Sequence, residues 1–109
     1  MARHEFGMMK IAPQPGKRYD DYEPEKYDCI SVDDIFLEGV IGALMSIDCY
    51  WHTLDVPEKG LAYCGVTLIP PQSLTSFVNV IRHLPGLSSL TALAELAQKE
   101  SKWIIHYGL

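Results

Sequence analysis

Apolar positions change period from one stretch of the chain to the next, and those changes mark its elements. Leu74, Phe77, Val78, Ile81 and Leu84 recur at three- and four-residue steps, which stacks them on one face of a helix. Pro85 and Gly86 stop that helix, and Ser88 or Ser89 starts another that carries Leu90, Leu93, Ala94 and Ala97 on its apolar side. Upstream, Leu37, Val40, Ile41 and Leu44 trace a third stripe, widened by Phe36 and Met45, with Ser31 or Asp33 positioned to cap its start. Gly39 and Gly42 each weaken such a helix by about 1 kcal/mol relative to alanine, which implies close packing against a sheet. The pattern predicts helices over residues 33–47, 72–84 and 89–101.

Other stretches carry the shorter period of strands. Asp28 to Val32 alternates, and Lys102 to Tyr107 is rich in aromatic and β-branched residues. Between them, the runs Cys49 to Asp55 and Leu61 to Ile69 flank Val56-Pro57-Glu58-Lys59-Gly60, a loop chemistry that predicts a hairpin ended by Pro70 and Pro71. With Asp55 facing Leu61, His52 falls opposite Cys64, Trp51 opposite Gly65 and Tyr50 opposite Val66. Tyr50, His52 and Leu54 then share the face expected to meet the helices, and Trp51, Thr53, Tyr63, Gly65 and Thr67 share the other. Leu37, Val40, Leu44, Phe77, Val78, Ile81, Leu93, Val66 and Leu68 form the expected core.

The order over residues 28–107 is strand, helix, strand, strand, helix pair, strand. It resembles the split βαβ plan of ferredoxin-like folds, with the second helix broken at Pro85 and Gly86. The resemblance implies an α+β fold of βαββ(αα)β type: a four-stranded antiparallel sheet in the order 4-1-3-2, with all helices on one face and the other face left for solvent, for the N-terminal strap lying across the domain, or for a partner. Residues 1–27 differ in composition, with Pro13, Pro15, Gly16, Pro24 and many charges, so they are expected to form an irregular N-terminal strap or arm ahead of a single α+β domain over 28–109. Within it, Phe6, Met8, Met9 and Ile11 suit a short extended piece, and Tyr19, Tyr22 and Tyr27 suit aromatic anchors.

A chain of 109 residues suits one core. Its three cysteines lack the spacing of a disulfide framework and point to a reducing compartment. Without a signal-like or bilayer-length apolar run, the reading is a soluble, cytoplasmic protein with no membrane partner. Nine basic and fourteen acidic residues give a net charge of −5, and Lys17 and Arg18 run straight into Asp20, Asp21, Glu23 and Glu25, so no nucleic-acid partner is expected.

Candidate chemistry is sparse. Cys49, His52, Cys64 and His106 are zinc-ligand types, yet Cys49 and His52 would point to opposite faces of one strand, and the acidic run at 20–25 lacks the glycine turn of a calcium loop, so neither metal nor cofactor is expected. His52 beside Cys64 is a candidate reactive pair, since an imidazole activates a thiol, but the first reading of both is structural, with Cys64 a small buried hydrophobe and no catalytic residue assigned. Trp51, Thr53, Tyr63 and Gly65, joined by Trp103 and Tyr107, form a candidate binding platform. With no nucleotide loop, triad or metal signature, the first reading is a non-enzymatic interaction or regulatory domain that self-associates as a homodimer or binds a protein through the open sheet face. The alternatives are a small enzyme or small-molecule binder with a pocket near Trp51, Tyr63 and Gly65, and an immunity-like or antitoxin-like acidic inhibitor.

Overall fold

The computed structural model of the chain describes residues 2–109. Its elements follow in the order β1 (Arg3–Met9), β2 (Ile30–Asp33), α1 (Asp34–Leu37), α2 (Ile41–Leu44), β3 (Asp48–Trp51), β4 (Pro57–Lys59), β5 (Val66–Ile69), α3 (Leu74–Ile81), α4 (Ser88–Glu100) and β6 (Trp103–Tyr107), with short 3-10 turns at Pro24–Tyr27 and Pro71–Ser73. The fold is α+β. The strands make one antiparallel sheet in the order β2-β1-β6-β5-β3-β4.

Two of the three predicted helices, α3 and α4, form on their 3.6-residue stripes. In α3, Leu74, Phe77, Val78 and Ile81 are all buried, each contributing about 1.5–3 kcal/mol by full burial. They pack with Leu87, Leu90, Ala94 and Ala97 from α4 and its entry against Phe6, Val32, Ile69 and Ile104 on the near face of the sheet. The alanines keep α4 close. Its end is set by Ser101 in the left-handed conformation (φ 54°), where Lys102 N–H donates to Ala97 O (2.8 Å) and Ser101 N–H to Gln98 O (3.3 Å), closing a Schellman motif. The stripe at 33–47 does not make one helix: it breaks into α1 and α2 around Gly39, where backbone freedom outweighs a stripe of only a few apolar residues.

Among the described residues the sheet has six strands, not four, and its order departs from the ferredoxin-like plan. β2, expected in the centre, lies at one edge, and β6 pairs with β5 directly. The reason is β1. Arg3–Met9, expected within the irregular arm, pairs with β2 on one side and β6 on the other. Its sequence suits a place buried on both faces: His4 and Phe6 point to the helix side, while Gly7 and Met9 point to the opposite side. Met1, also assigned to that arm, lies outside the described residues.

The expected hairpin is shorter and differently registered. β3 stops at Trp51, Pro57–Lys59 from the predicted loop folds back as the edge strand β4, and Tyr50 pairs with Leu68 and Trp51 with Thr67. That register is shifted by two from the expected one, which preserves which residues share a face. The faces themselves are exchanged. Tyr50 and Leu54 pack with Val66, Leu68 and Ile105 on the side away from the helices, whereas Trp51 and Thr67 point to the helix side.

Of the three occupants the far face could take, it takes the strap. Residues 10–29 lie across it, placing Tyr19, Tyr27 and Cys29 against Met9, Leu68, Ile105 and Tyr107 as a second apolar cluster. Tyr19 N–H donates to His52 O (2.7 Å), tying the strap to the end of β3. Gly7 makes the close approach possible, since a Cβ there would stand 2.7 Å from Tyr27 Cβ and 2.8 Å from Cys29 Sγ. Among the described residues, no helix is long and apolar enough to cross a membrane.

Candidate ligand-binding cleft

Where the strap leaves β1 and doubles back, it encloses a cleft of about 430 Å³. Met9 at the end of β1 supplies its base, and Ile11 and Ala12, both exposed, continue one wall. A turn contributes further lining through Gln14 and Lys17. Lys17 N–H donates to Gln14 O (3.2 Å) with Gly16 at φ +80°, and Gln14 N–H donates to Tyr19 Oη (2.9 Å), which fixes the Tyr19 ring at the floor. The 3-10 turn Pro24–Tyr27 brings in Tyr27 and Lys26.

Three of the chain's nine basic residues line this cleft: Lys10, Lys17 and Lys26. Lys17 Nζ sits 5.2 Å from the Tyr19 ring centroid and Lys26 Nζ 5.6 Å from that of Tyr27, within cation–π range. Among the described residues, no carboxylate side chain lines it. Burial pushes the Tyr27 hydroxyl up from its ordinary value.

A second constellation lies on the helix side, buried at His4, His106 and Thr67 and partly exposed at Asp34 and Tyr63. Tyr63 Oη–H donates to Asp34 Oδ1 (2.5 Å), His4 Nε2 lies 2.9 Å from the same oxygen, His4 Nδ1 lies 2.9 Å from His106 Nε2, and His106 Nδ1 lies 3.1 Å from Thr67 Oγ1. Thr67 Oγ1 also accepts from Ala62 N–H (2.7 Å). Against the Asp34 carboxylate, which can only accept, His4 Nε2 is the donor. His4 and His106 are fully buried and stack with centroids 5.1 Å apart. Burial first, and the charge of His4 second, push His106 down to about 3. The hydrogen bonds from Tyr63 and then His4 hold Asp34 below the usual carboxylate range, and Asp34 in turn pushes Tyr63 up to about 12.

The residues singled out from sequence do not meet in one platform. Trp51 donates from Nε1 to Gly60 O (3.0 Å) on the helix side, and Thr53 is buried in the turn after β3, its Oγ1 accepting from Asp55 N–H (3.4 Å). Tyr63 joins the Asp34–His4 group, its ring centroid 5.3 Å from that of His4 in a T-shaped arrangement. Trp103 and Tyr107 lie on the strap side, packing against Tyr50 (5.7 Å) and Tyr22 (5.2 Å). Gly65 is no vacant depression: His52 fills it, its Nε2 2.8 Å from where a Cβ would stand.

His52 and Cys64 do share a shallow recess of about 280 Å³ with Asp20. His52 takes the left-handed conformation (φ 65°), its Nδ1 is 2.8 Å from Asp20 Oδ1 but off the line of an aligned hydrogen bond, and its Nε2 accepts weakly from Val66 N–H (3.4 Å). Arg18 is the stronger partner of Asp20, bonding it twice and lowering its pKa. Cys64 is exposed, whereas burial pushes the Cys29 and Cys49 thiols up to about 12. Among the described residues, no three His, Cys, Asp or Glu side chains stand together as a metal site.

Sequence reasoning missed His4, assigned to a tail, and the lysines of the cleft, which are scattered along an acidic segment. The only local signal for His4 was its two-residue offset from Phe6 in an apolar stretch. Comparison with known proteins finds no matching family model, no matching curated protein and no matching solved structure.

Proposed function

We propose that this chain is a small regulatory binding domain without a catalytic centre, and that its ligand is a small molecule held in the cleft between the strap and β1. The cleft carries the reading: it has an aromatic and apolar base, a volume of about 430 Å³ within the usual range of small-molecule sites, and convergent polar groups at its rim. Two further observations support it. The sheet face that would have offered a flat surface to a protein partner is covered by residues 10–29, and the groups best suited to acid–base chemistry, His4, His106 and Asp34, bond chiefly to one another.

The test is fluorescence titration of the native protein with N-phenylnaphthylamine, a neutral apolar probe that brightens on leaving water. Saturable one-to-one binding is expected, and it should vanish in Ala12→Trp, where an exposed position gains a ring that fills the cleft without entering the core. Binding that Ala12→Trp leaves unchanged would place the probe elsewhere and sink the proposal.

A further inference from the structure

We infer that the cleft selects an organic anion: a flat, apolar body bearing a carboxylate, sulfonate or phosphate group. This rests on the cleft being the binding site. The argument is one of charge segregation. The chain as a whole carries −5, so its average field repels anions, yet the cleft is lined by Lys10, Lys17 and Lys26 and by no carboxylate among the described residues.

Two nearby acidic side chains are held by other partners, while Glu23 acts on the Tyr27 hydroxyl from outside the lining. Asp20 is held by Arg18 beside His52, and Glu5 accepts from Tyr22 on the far side of the strap. The ammonium groups are also positioned rather than loose. Lys17 and Lys26 each rest over the ring of a floor tyrosine, which keeps two charges at the rim above an aromatic base. A third, Lys102 Nζ, reaches in from the start of β6 to donate to Lys10 O (3.1 Å) and adds positive potential at the strap's first residue. A flat ligand body would lie on Met9, Tyr19 and Tyr27 while its anionic group met the lysines, a division of labour common in small-molecule sites.

The experiment compares two probes of similar shape, anilinonaphthalene sulfonate and neutral N-phenylnaphthylamine, on the native protein and on the Lys17→Gln, Lys26→Gln double variant. Near-ultraviolet circular dichroism confirms that each protein is natively packed, since the sulfonate also binds loosened states. The sulfonate should bind more tightly than the neutral probe, and the double variant should weaken it by about fivefold, the size expected for two partly exposed ion pairs. Added salt should weaken the sulfonate and spare the neutral probe. Equal affinities for the two probes, or no loss in the double variant, would overturn the anion inference while leaving the cleft as a binding site. Failure of both probes to bind would overturn both.

Discussion

His106 shows how one buried side chain ties stability to pH. Its folded pKa is about 3 because burial disfavours the imidazolium, whereas its ordinary value is 6.5. Below pH 6.5 the unfolded chain takes up a proton that the folded chain refuses until about pH 3, so acid shifts the balance toward unfolding across that window. Stability should therefore fall from pH 6.5 to 5 by up to about 1.4 kcal/mol per pH unit, read as a falling urea midpoint. Asp34 acts in the same direction but lower on the scale: its contribution persists above the ordinary carboxylate pKa and is lost only as pH falls through its depressed folded value. His106→Phe should start about 1–3 kcal/mol less stable, because it strands His4 Nδ1 and the Thr67 hydroxyl, yet it should lose the slope between pH 6.5 and 5. A slope unchanged in that variant would assign the pH response to other groups.

At the scale of the element, local chemistry decides where the helices end. α3 and α4 were legible because each has a full apolar stripe, and α4 stops where Ser101 turns left-handed and returns two backbone bonds to the last turn. A serine in that conformation bears a Cβ clash that glycine lacks. Ser101→Gly should accordingly raise the denaturation midpoint, stabilising the protein by about 1 kcal/mol. A neutral or destabilising result would mean that the Ser101 backbone is not strained. The stretch at 33–47 was misread as one helix for the complementary reason. Its stripe is real, with Leu37 and Leu44 both buried, but each half holds a single turn, and Gly39 between them has no packing to straighten it.

Across the whole molecule, β1 turns an apparent arm into part of the framework. It pairs with β2 and β6, so it joins the edge strand carrying α1 to the rest of the sheet. It supplies Phe6 to the helix-side core, Met9 to the strap-side cluster and His4 to the buried polar chain. A chain starting at Tyr27 should thus fail to unfold cooperatively and should lose its near-ultraviolet circular dichroism. Retention of a cooperative transition would show that residues 28–109 form a core by themselves. The same topology explains the aromatic content that suggested an exposed platform: Trp103, Tyr107 and Tyr50 serve to seat the strap.

The sequence by itself determined the α+β class, the helical faces of α3 and α4, the strand character of 66–69 and 103–107, and most of the core, with Leu37, Leu44, Phe77, Val78, Ile81, Val66 and Leu68 all buried. Those features depend on neighbours within a turn or a strand, so periodicity records them. Only the tertiary structure decided that six strands pair in the order β2-β1-β6-β5-β3-β4, which face of β3 meets the helices, and that positions 4, 34, 63, 67 and 106 converge in one hydrogen-bonded chain. Alternation fixes which residues share a face of a strand. Which layer then covers that face depends on contacts between residues far apart in the chain, and no local pattern carries that information.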